Sequence, residues 1–487
     1  MNNNTAAGRQ GFQILFISLG CDKNLVDSEK MLGLLQEAGY IMVDDEAEAD
    51  AIVINTCCFI HDAKEESIET IIEMAEWKKK GRLKALVAAG CLAQRYHQEI
   101  REEIPELDAV IGTAGYTEIV KILDSLLKRP EGTGTGESSI RERTSEDRVG
   151  TADSEGEALI TCCPSIDLLP ASLSDKRVVT TGGYTAYLKI AEGCNKFCTY
   201  CIIPYVRGRY RSFPMEDLLD EAERLAADGV KELILVAQET TVYGVDCYGK
   251  KMLPELLRRL CRIDGLEWIR ILYCYPEEIT DELIEVIRQE PKICHYLDVP
   301  IQHSEDRVLK AMGRKTSRRE ITALVEKLRE RIPDIVLRTT LITGFPGETE
   351  EEAEALCDFA ESLKFERLGV FTFSSEEGTK AALMEGQIPE KIKEERRDRI
   401  MALQQEISSD RTAERIGSVM EVLIEGYLYE DDIYIGRTYM DAPKVDGNVF
   451  VNAQEELVSG DIVPVLITGS GEYDLMGDVI YEDEFAE

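Results

Sequence analysis

The sequence of 487 residues predicts an α/β protein with three folded domains: a doubly wound α/β domain, a parallel (β/α) barrel that is partial or complete, and a small OB-like β-barrel. Three observations carry that prediction. Continuous apolar runs alternate with amphipathic stretches in two separate blocks, the pattern of buried parallel strands joined by crossover helices. A polar, Gly- and Ser-rich stretch divides the blocks. Beyond residue 417 the pattern changes to short alternating strands set off by turn residues.

Taken in order, the first domain spans 12–128. Its runs QILFISLG, AIVINTC, KALVAAGC and AVIGT read as strands, and KNLVDSEKMLGLLQEAG, KEESIETIIEMAEWKKK, AQRYHQEIREEI and TEIVKILDSLLK as the helices after them. Residues 129–182 contain EGTGTGESS, RERTSEDR and TADSEGEA, too polar to bury a core, and predict a flexible, mostly disordered linker. Cys162 and Cys163 lie there with no partner ligands nearby and read as incidental thiols. From 183 to 415 the strands are AYLKIAE, ELILVAQ, WIRILYC, YLDVPIQ, IVLRTTLITGF and RLGVFTF; six βα units point to a barrel rather than a second open sheet. The run EKIKEERRDRIMALQQEISSDRTAERIG reads as a solvated helix leading into the last domain, 416–487, with strands MEVLIEGY, YIGRTYM, GNVFVN and DIVPVLITG.

Charge and cysteine content narrow the function. With 56 Lys+Arg against 93 Asp+Glu the net charge is −37, which repels a phosphate backbone and argues against direct nucleic-acid binding. No run approaches the ~18 apolar residues of a membrane helix, and MNNNTAAGRQGFQ has no signal-peptide character, so no membrane association and a cytoplasmic location are expected. Fourteen cysteines in such a reducing compartment point to metal or redox chemistry rather than disulfides.

Six of the fourteen fall into two sets. Cys21, Cys57 and Cys91 close SLGC, INTC and AAGC, each at the carboxyl end of a predicted strand. In a parallel α/β sheet those ends lie side by side where ligands bind, so three distant thiols converge, soft ligands suited to iron–sulfur clusters or zinc. A single such cysteine would read as a small buried hydrophobe; three in matching positions read as a site. Cys58 points to the other face of its strand, which leaves Cys57 as the ligand. The second set, Cys194, Cys198 and Cys201, forms C-NKF-C-TY-C directly after AYLKIAE and Gly193. Three thiolates so close hold three corners of a [4Fe-4S] cube and leave the fourth iron open. Zinc competes, but it wants a fourth ligand that the local sequence lacks.

This spacing, with Tyr200 before the last cysteine and a βα array behind it, resembles the radical S-adenosylmethionine (SAM) enzymes. The resemblance implies an open iron that chelates the methionyl amine and carboxylate of SAM and reduces it to a 5′-deoxyadenosyl radical, which abstracts hydrogen. It also implies cofactor-binding residues. Tyr200 belongs to the cluster motif, and Gln238 and Glu239 end the second barrel strand, where such enzymes contact the methionyl amine. TTLITGFPGE, 339–348, is similar to the fifth-strand glycine motif near adenine and contributes Gly344 and Gly347, although Thr340 stands where glycine is common. Read alone, GFPGE is also an ordinary strand-to-helix turn.

Together the three parts resemble the methylthiotransferases: a three-cysteine domain, a radical SAM partial barrel and a TRAM domain, over nearly all of the chain except 129–182. Within that group YLKIAEGCNKFCTYCIIPYVRGRYRS, QETTVYGVDCYGK, YLDVPIQH, LRTTLITGFPGET, FSSEEGT and YIGRTYMDAPKVDG are similar to members that methylthiolate the β-carbon of an aspartate in small-subunit ribosomal protein twelve. The resemblance implies two [4Fe-4S] clusters, the auxiliary one on Cys21, Cys57 and Cys91 and the radical one on Cys194, Cys198 and Cys201, together with a reducing electron donor and a sulfur donor. A tRNA adenosine methylthiotransferase of the MiaB type would carry the same clusters. Charge separates the two: residues 417–487 hold 17 acidic residues against two basic ones, Arg437 and Lys444, a balance that attracts a basic protein and repels tRNA. A non-catalytic iron–sulfur or zinc interaction protein is disfavoured by two open three-cysteine sites beside a glycine motif.

Other residues carry weaker signals. His61 and His97 follow Cys57 and Cys91 in helical stretches and His295 is isolated, all reading as surface or packing residues, whereas His303 in PIQHS ends a barrel strand and could line the pocket. Arg207, Arg209 and Arg211 either hold a carboxylate or form a basic surface run. Cys247, Cys261, Cys274, Cys294 and Cys357 share no spacing and read as packing thiols.

Overall fold

The computed structural model describes residues 11–127, 159–169 and 177–481. The chain divides into two compact units, Met1–Val178 and Val179–Glu487.

The first unit runs β1 (Gln13–Ser18), α1 (Asp22–Glu37), β2 (Ile41–Val43), β3 (Ala51–Thr56), α2 (His61–Lys80), β4 (Ala85–Ala89), α3 (Gly90–Arg95), α4 (His97–Glu103), β5 (Ala109–Ile111), α5 (Ile119–Leu127) and β6 (Ile160–Cys162). The sheet has the order β2-β1-β3-β4-β5-β6, with every pairing parallel. Strands β3 and β4 are buried along their whole length, which requires cover on both faces. Alternate residues Ile14, Val53, Val87 and Ile111 pack with Leu35 of α1 and Leu123 of α5 in one core, while α2 packs on β3 and β4 with Ile71, Met74 and Ala75 buried. Strand order reverses between β1 and β3, and the crevice at their carboxyl ends is the switch point where such sheets bind ligands.

Two strands of this sheet differ from the sequence expectation. β2 is only three residues long, too short for a periodicity signal. β6 lies inside the expected linker: Ile160–Cys162 pairs in parallel with β5, Ile111 opposite Cys162. Three strand-forming residues following a strongly polar stretch are averaged away by a reading of composition. Cys162 is therefore half-buried against the core rather than loose in a tether. Of the remaining linker, 129–158 and 170–176 lie outside the described residues.

The second unit begins with β7 (Thr185–Lys189), β8 (Ala191–Glu192), α6 (Ile203–Val206), β9 (Arg211–Ser212), α7 (Met215–Ala227), β10 (Glu232–Val236), α8 (Val245–Tyr248), α9 (Leu253–Leu260), β11 (Trp268–Ile271), α10 (Asp281–Gln289) and β12 (Ile293–Asp298). It continues with α11 (Asp306–Ala311), α12 (Arg318–Arg331), β13 (Val336–Thr343), α13 (Glu350–Leu363), β14 (Arg367–Thr372) and α14 (Glu390–Ala413). Strands β7, β10, β11, β12, β13 and β14 lie in chain order in one parallel sheet, and β7 and β14 do not pair with each other. This is the strand order of a (β/α) barrel left open at six strands. Helix α14 is not the solvated connector its charge suggests. Arg396, Ile400, Gln404 and Ile407 are buried on one face, which packs on β14 and α13. Polar residues supply much of that face, so apolar periodicity misses it.

The chain ends in a closed barrel of β15 (Val419–Leu428), β16 (Ile433–Arg437), β17 (Val449–Asn452), β18 (Ile462–Ser470) and β19 (Leu475–Val479), of which β19 was not among the expected strands. It docks on the amino ends of the parallel sheet through a buried ionic seam. Glu232, first residue of β10, accepts from Arg437 at 2.7 Å and Arg270 at 2.9 Å. Arg367, first of β14, meets Asp441 at 2.9 Å, and Tyr296 donates to Asp446 at 2.7 Å. The opposite, carboxyl end of the sheet remains for chemistry.

Candidate metal centres and cofactor site

In the first unit, Cys21 caps α1, Cys57 follows β3, and Cys91 stands in the first turn of α3 directly after β4. Close approach of the backbones explains the glycines beside them. A Cβ on Gly20, which has φ +89°, would lie 2.7 Å from Cys57 Cβ and 2.9 Å from Cys57 Sγ. A Cβ on Gly90, φ +90°, would lie 2.2 Å from Asn55 Oδ1 and 2.7 Å from Thr56 O. Thr56 Oγ1 donates to Ala89 O at 2.5 Å. The turns after three neighbouring strands thus interlock at the switch point. Cys57 and Cys91 are buried and Cys21 is exposed; Cys58 is buried too, its carbonyl accepting from Arg95. Among the described residues no three His, Cys, Asp or Glu side chains close around one point as the ligands of a single ion do.

In the second unit, Cys194, Cys198 and Cys201 lie in the loop after β8. Cys194 N donates to Gly208 O at 3.1 Å and Cys201 N to Cys198 O at 3.0 Å. Burial pushes the Cys194 thiol up to about 12, with Cys198 adding to it, and pushes Cys201 up as well, with both other thiols contributing. Bound metal inverts that balance by taking the thiolates. Phe197 in the loop sits at φ +51°, as do Tyr273 at +61° and Gln302 at +74° near the strand ends: strained backbone gathered at one mouth. Lys196 fastens the loop, reaching Glu278 at 2.6 Å, Glu277 at 3.2 Å and Glu239 at 3.3 Å. Tyr275 places its hydroxyl 3.7 Å from Cys198 Sγ.

The strand ends supply the rest of the mouth. Glu192 accepts from Lys189 at 2.8 Å, Arg207 at 3.0 Å and Gln238 at 3.0 Å. Burial opposes its charge, but Arg207 and Lys189 hold its carboxyl well below the ordinary range. Arg207 is therefore neither surface nor available for an outside carboxylate: it is 2% exposed and paired within the chain. Arg211 donates to the carbonyls of Arg207 and Arg209. Gln238 Oε1 is buried with no hydrogen-bond partner among the described residues. Beside it Glu239 is pushed up to about 7 by burial, against Lys196 and the Thr241 hydroxyl. Tyr200 packs on the cluster containing Met312, Phe345 and Phe373.

Gly344 and Gly347 form the turn after β13. Glu348 Oε2 accepts from Gly344 N at 2.9 Å and Phe345 N at 3.2 Å, while its other oxygen accepts from Arg396 of α14 at 2.8 Å. His303 is fully buried beside this turn, with Nε2 3.6 Å from Glu348 and without a hydrogen-bond partner among the described residues. His295 pairs with Asp334 at 2.7 Å, and His61 and His97 open α2 and α4.

Sequence reasoning missed one further group. Arg314 is 7% exposed, stacked 4.2 Å over the Tyr275 ring, and donates from Nη2 to Pro300 O at 2.8 Å. Its Nε and Nη1 are buried with no partner among the described residues. No motif spacing marks it; only the fold returns α11 to the cysteine loop, where Thr199 N donates to Met312 O at 2.9 Å. Buried polar atoms are rarely left unpaired. An acceptor at Gln238 and cationic donors at Arg314 suit the ammonium and carboxylate of an amino acid, so the residues present fit SAM at a three-cysteine cluster.

An open six-stranded parallel barrel with a CxxxCxxC loop at its mouth defines a radical SAM protein, extended by a cysteine-bearing α/β domain and a terminal β-barrel. Family models match accordingly: the radical SAM superfamily at residues 188–360, the uncharacterized protein family UPF0004 at 13–112 and the TRAM domain at 416–480. Curated relatives named ribosomal protein uS12 methylthiotransferase RimO are 57% identical in Lachnoclostridium phytofermentans, over 96% of this chain and 99% of the relative. Those in Thermoanaerobacter sp. and Clostridioides difficile are 50% and 48% identical, over 95% and 96% of this chain and 98% and 99% of theirs. The chain belongs to the RimO family of radical SAM methylthiotransferases. Among solved structures, the radical SAM methyltransferase TsrM from Kitasatospora setae is similar with a TM-score of 0.51 and 15% identity, over 74% of this chain and 73% of that one. The cobalamin-dependent SAM radical enzyme OxsB has a TM-score of 0.51 and 13% identity, over 81% and 56%; both are likenesses of fold. Among the described residues no helix is long and apolar enough to cross a membrane.

Proposed function

We propose that this chain transfers a methylthio group to the β-carbon of an aspartate in ribosomal protein uS12, in the cytoplasm, with an external reductant and a sulfur donor. Cys21, Cys57 and Cys91 hold one [4Fe-4S] cluster and Cys194, Cys198 and Cys201 a second. When bound, the clusters and SAM supply the one-electron chemistry and carry the sulfur. The chain binds and orients. Gln238 Oε1 takes the ammonium of SAM and Arg314 its carboxylate, while Glu192 holds the Gln238 amide by its nitrogen. Tyr200 and the Gly344–Gly347 turn, held by Glu348 and Arg396, flank the adenosyl end. The observation that carries this reading is the pair of complementary unpartnered groups, Gln238 Oε1 and the Arg314 donors, beside the three-cysteine loop.

The acidic terminal barrel supports a basic protein as substrate over tRNA. Reconstituted enzyme with SAM, reductant and sulfide, offered both uS12 and unmodified tRNA, tests the choice by mass spectrometry. A methylthio mass increase is expected on the protein; an increase on tRNA with none on the protein overturns the substrate.

A further inference from the structure

Asn24, in the first turn of α1, is 1% exposed and touches all three turns of the first cysteine set. Its Nδ2 donates to Leu19 O at 3.0 Å, two residues before Cys21, and to Thr56 O at 2.9 Å, next to Cys57. With the amide nitrogen so engaged, the oxygen is turned the other way: Cys91 Sγ lies 3.8 Å from Asn24 Oδ1 and donates to it. The same side chain approaches the Gly20 Cα, where an added Cβ would meet Asn24 Nδ2 at 3.5 Å and Cys57 Sγ at 2.9 Å. Asn55 Nδ2, from β3, fixes Asn24 from behind by donating to its carbonyl at 2.9 Å. One amide therefore sets the spacing of two cysteine turns with its nitrogen and faces the third sulfur with its oxygen.

We infer that Asn24 is a positioning residue for the cluster held by Cys21, Cys57 and Cys91, and that it also tunes that cluster's reduction potential. The inference rests on the reading that these cysteines hold a cluster. Groups behind metal ligands orient them and adjust their electronics. Hydrogen bonds and charge at the sulfurs are among the determinants of iron–sulfur potentials. Once Cys91 is a thiolate, the Asn24 oxygen presents the negative end of a fixed dipole to it, which disfavours adding an electron. The residue thus holds the potential down while the nitrogen holds the geometry.

The test uses full-length protein carrying Cys194→Ala, Cys198→Ala and Cys201→Ala, so that any iron reports on the first site alone. In this parent, Asn24→Ala removes the dipole and is expected to shift the midpoint potential upward. Asn24→Asp places a carboxylate at nearly constant volume and is expected to shift it downward, with an altered reduced-state EPR spectrum. Both should lose iron to a chelator about tenfold faster or more. Ser28→Ala serves as the structural control, because Ser28 Oγ bonds Ser18, Asn55 and the Asn24 carbonyl without touching a cysteine turn. It is expected to match the parent. Opposite shifts in the two Asn24 variants, or failure of both to load iron while Ser28→Ala loads fully, support the inference. Unchanged spectra and potentials, or equal effects from Ser28→Ala, overturn it. A parent that takes up no iron instead overturns the cluster reading beneath it.

Discussion

Replacing Arg314 with lysine should weaken SAM binding without removing the positive charge. The guanidinium has three polar corners. Nη2 is committed to Pro300 O, and Nε and Nη1 are buried without partners among the described residues. The Tyr275 ring beneath fixes its plane. Nε and Nη1 aim charge-assisted hydrogen bonds along different edges of that fixed plane, and lysine can offer only a point charge with no such fixed directions. A hydrogen bond to a charged group contributes about 1.5–3 kcal/mol, so losing one such directed bond should raise the Kd for SAM roughly 10- to 100-fold. Equilibrium dialysis on anaerobically reconstituted protein reads this directly. S-adenosylhomocysteine, which keeps the amino-acid group, should weaken in parallel, and 5′-methylthioadenosine, which lacks it, should bind as before. Unchanged SAM affinity refutes the assignment. An equal loss for both competitors refutes it as well, by showing a general disturbance of the pocket.

Two further outcomes follow from the charges and the cysteines. Glu232 is fully buried, and although burial opposes its charge, Arg437 and Arg270 lower its pKa to about 2. Such a carboxylate contributes stability above its ordinary range near 4.5 and loses it as pH falls toward 2, here about 3 kcal/mol at neutral pH. Glu232→Gln should therefore lower the urea midpoint at pH 6 and approach the parent near pH 3, followed by Trp268 fluorescence in a Trp77→Phe background; a pH-independent difference contradicts it. For the clusters, Cys198→Ala should abolish 5′-deoxyadenosine formation while Cys57→Ala leaves it largely intact, and the reverse pattern would exchange their roles.

The parallel domains were legible because their strands are buried on both faces and appear as uninterrupted apolar runs. Each of the six strands of the open barrel overlaps the run that predicts it, although β12 begins three residues before YLDVPIQ, and Cys21, Cys57 and Cys91 stand at the strand ends. What stayed hidden is polar or short. β6 is three residues inside a polar stretch. Helix α14 buries Arg396 and Gln404, which no hydropathy pattern marks as interior. Arg207 and Arg314 are buried cations whose partners and ring contacts come from elements far along the chain, so their roles exist only after folding.

Burial also alters the charge argument for the substrate. Counted along the sequence, Arg437 is one of two cations in the terminal barrel. In the fold it is 1% exposed and spent on Glu232 and Glu425. Asp441 and Asp446 are likewise consumed by Arg367 and Arg338. Between residues 417 and 481 this leaves Lys444 as the exposed cation. At the turn between β15 and β16, Glu430, Asp431 and Asp432 are all exposed, beside Tyr429 at 88% exposure. Tyr429 packs edge-on against Tyr427 at 4.9 Å. Exposed rings on a small barrel ordinarily suit stacked bases, but here the carboxylates around them repel the phosphates any base would bring. The same rings and carboxylates together favour guanidinium and ammonium groups, which is the chemistry of a cationic protein segment.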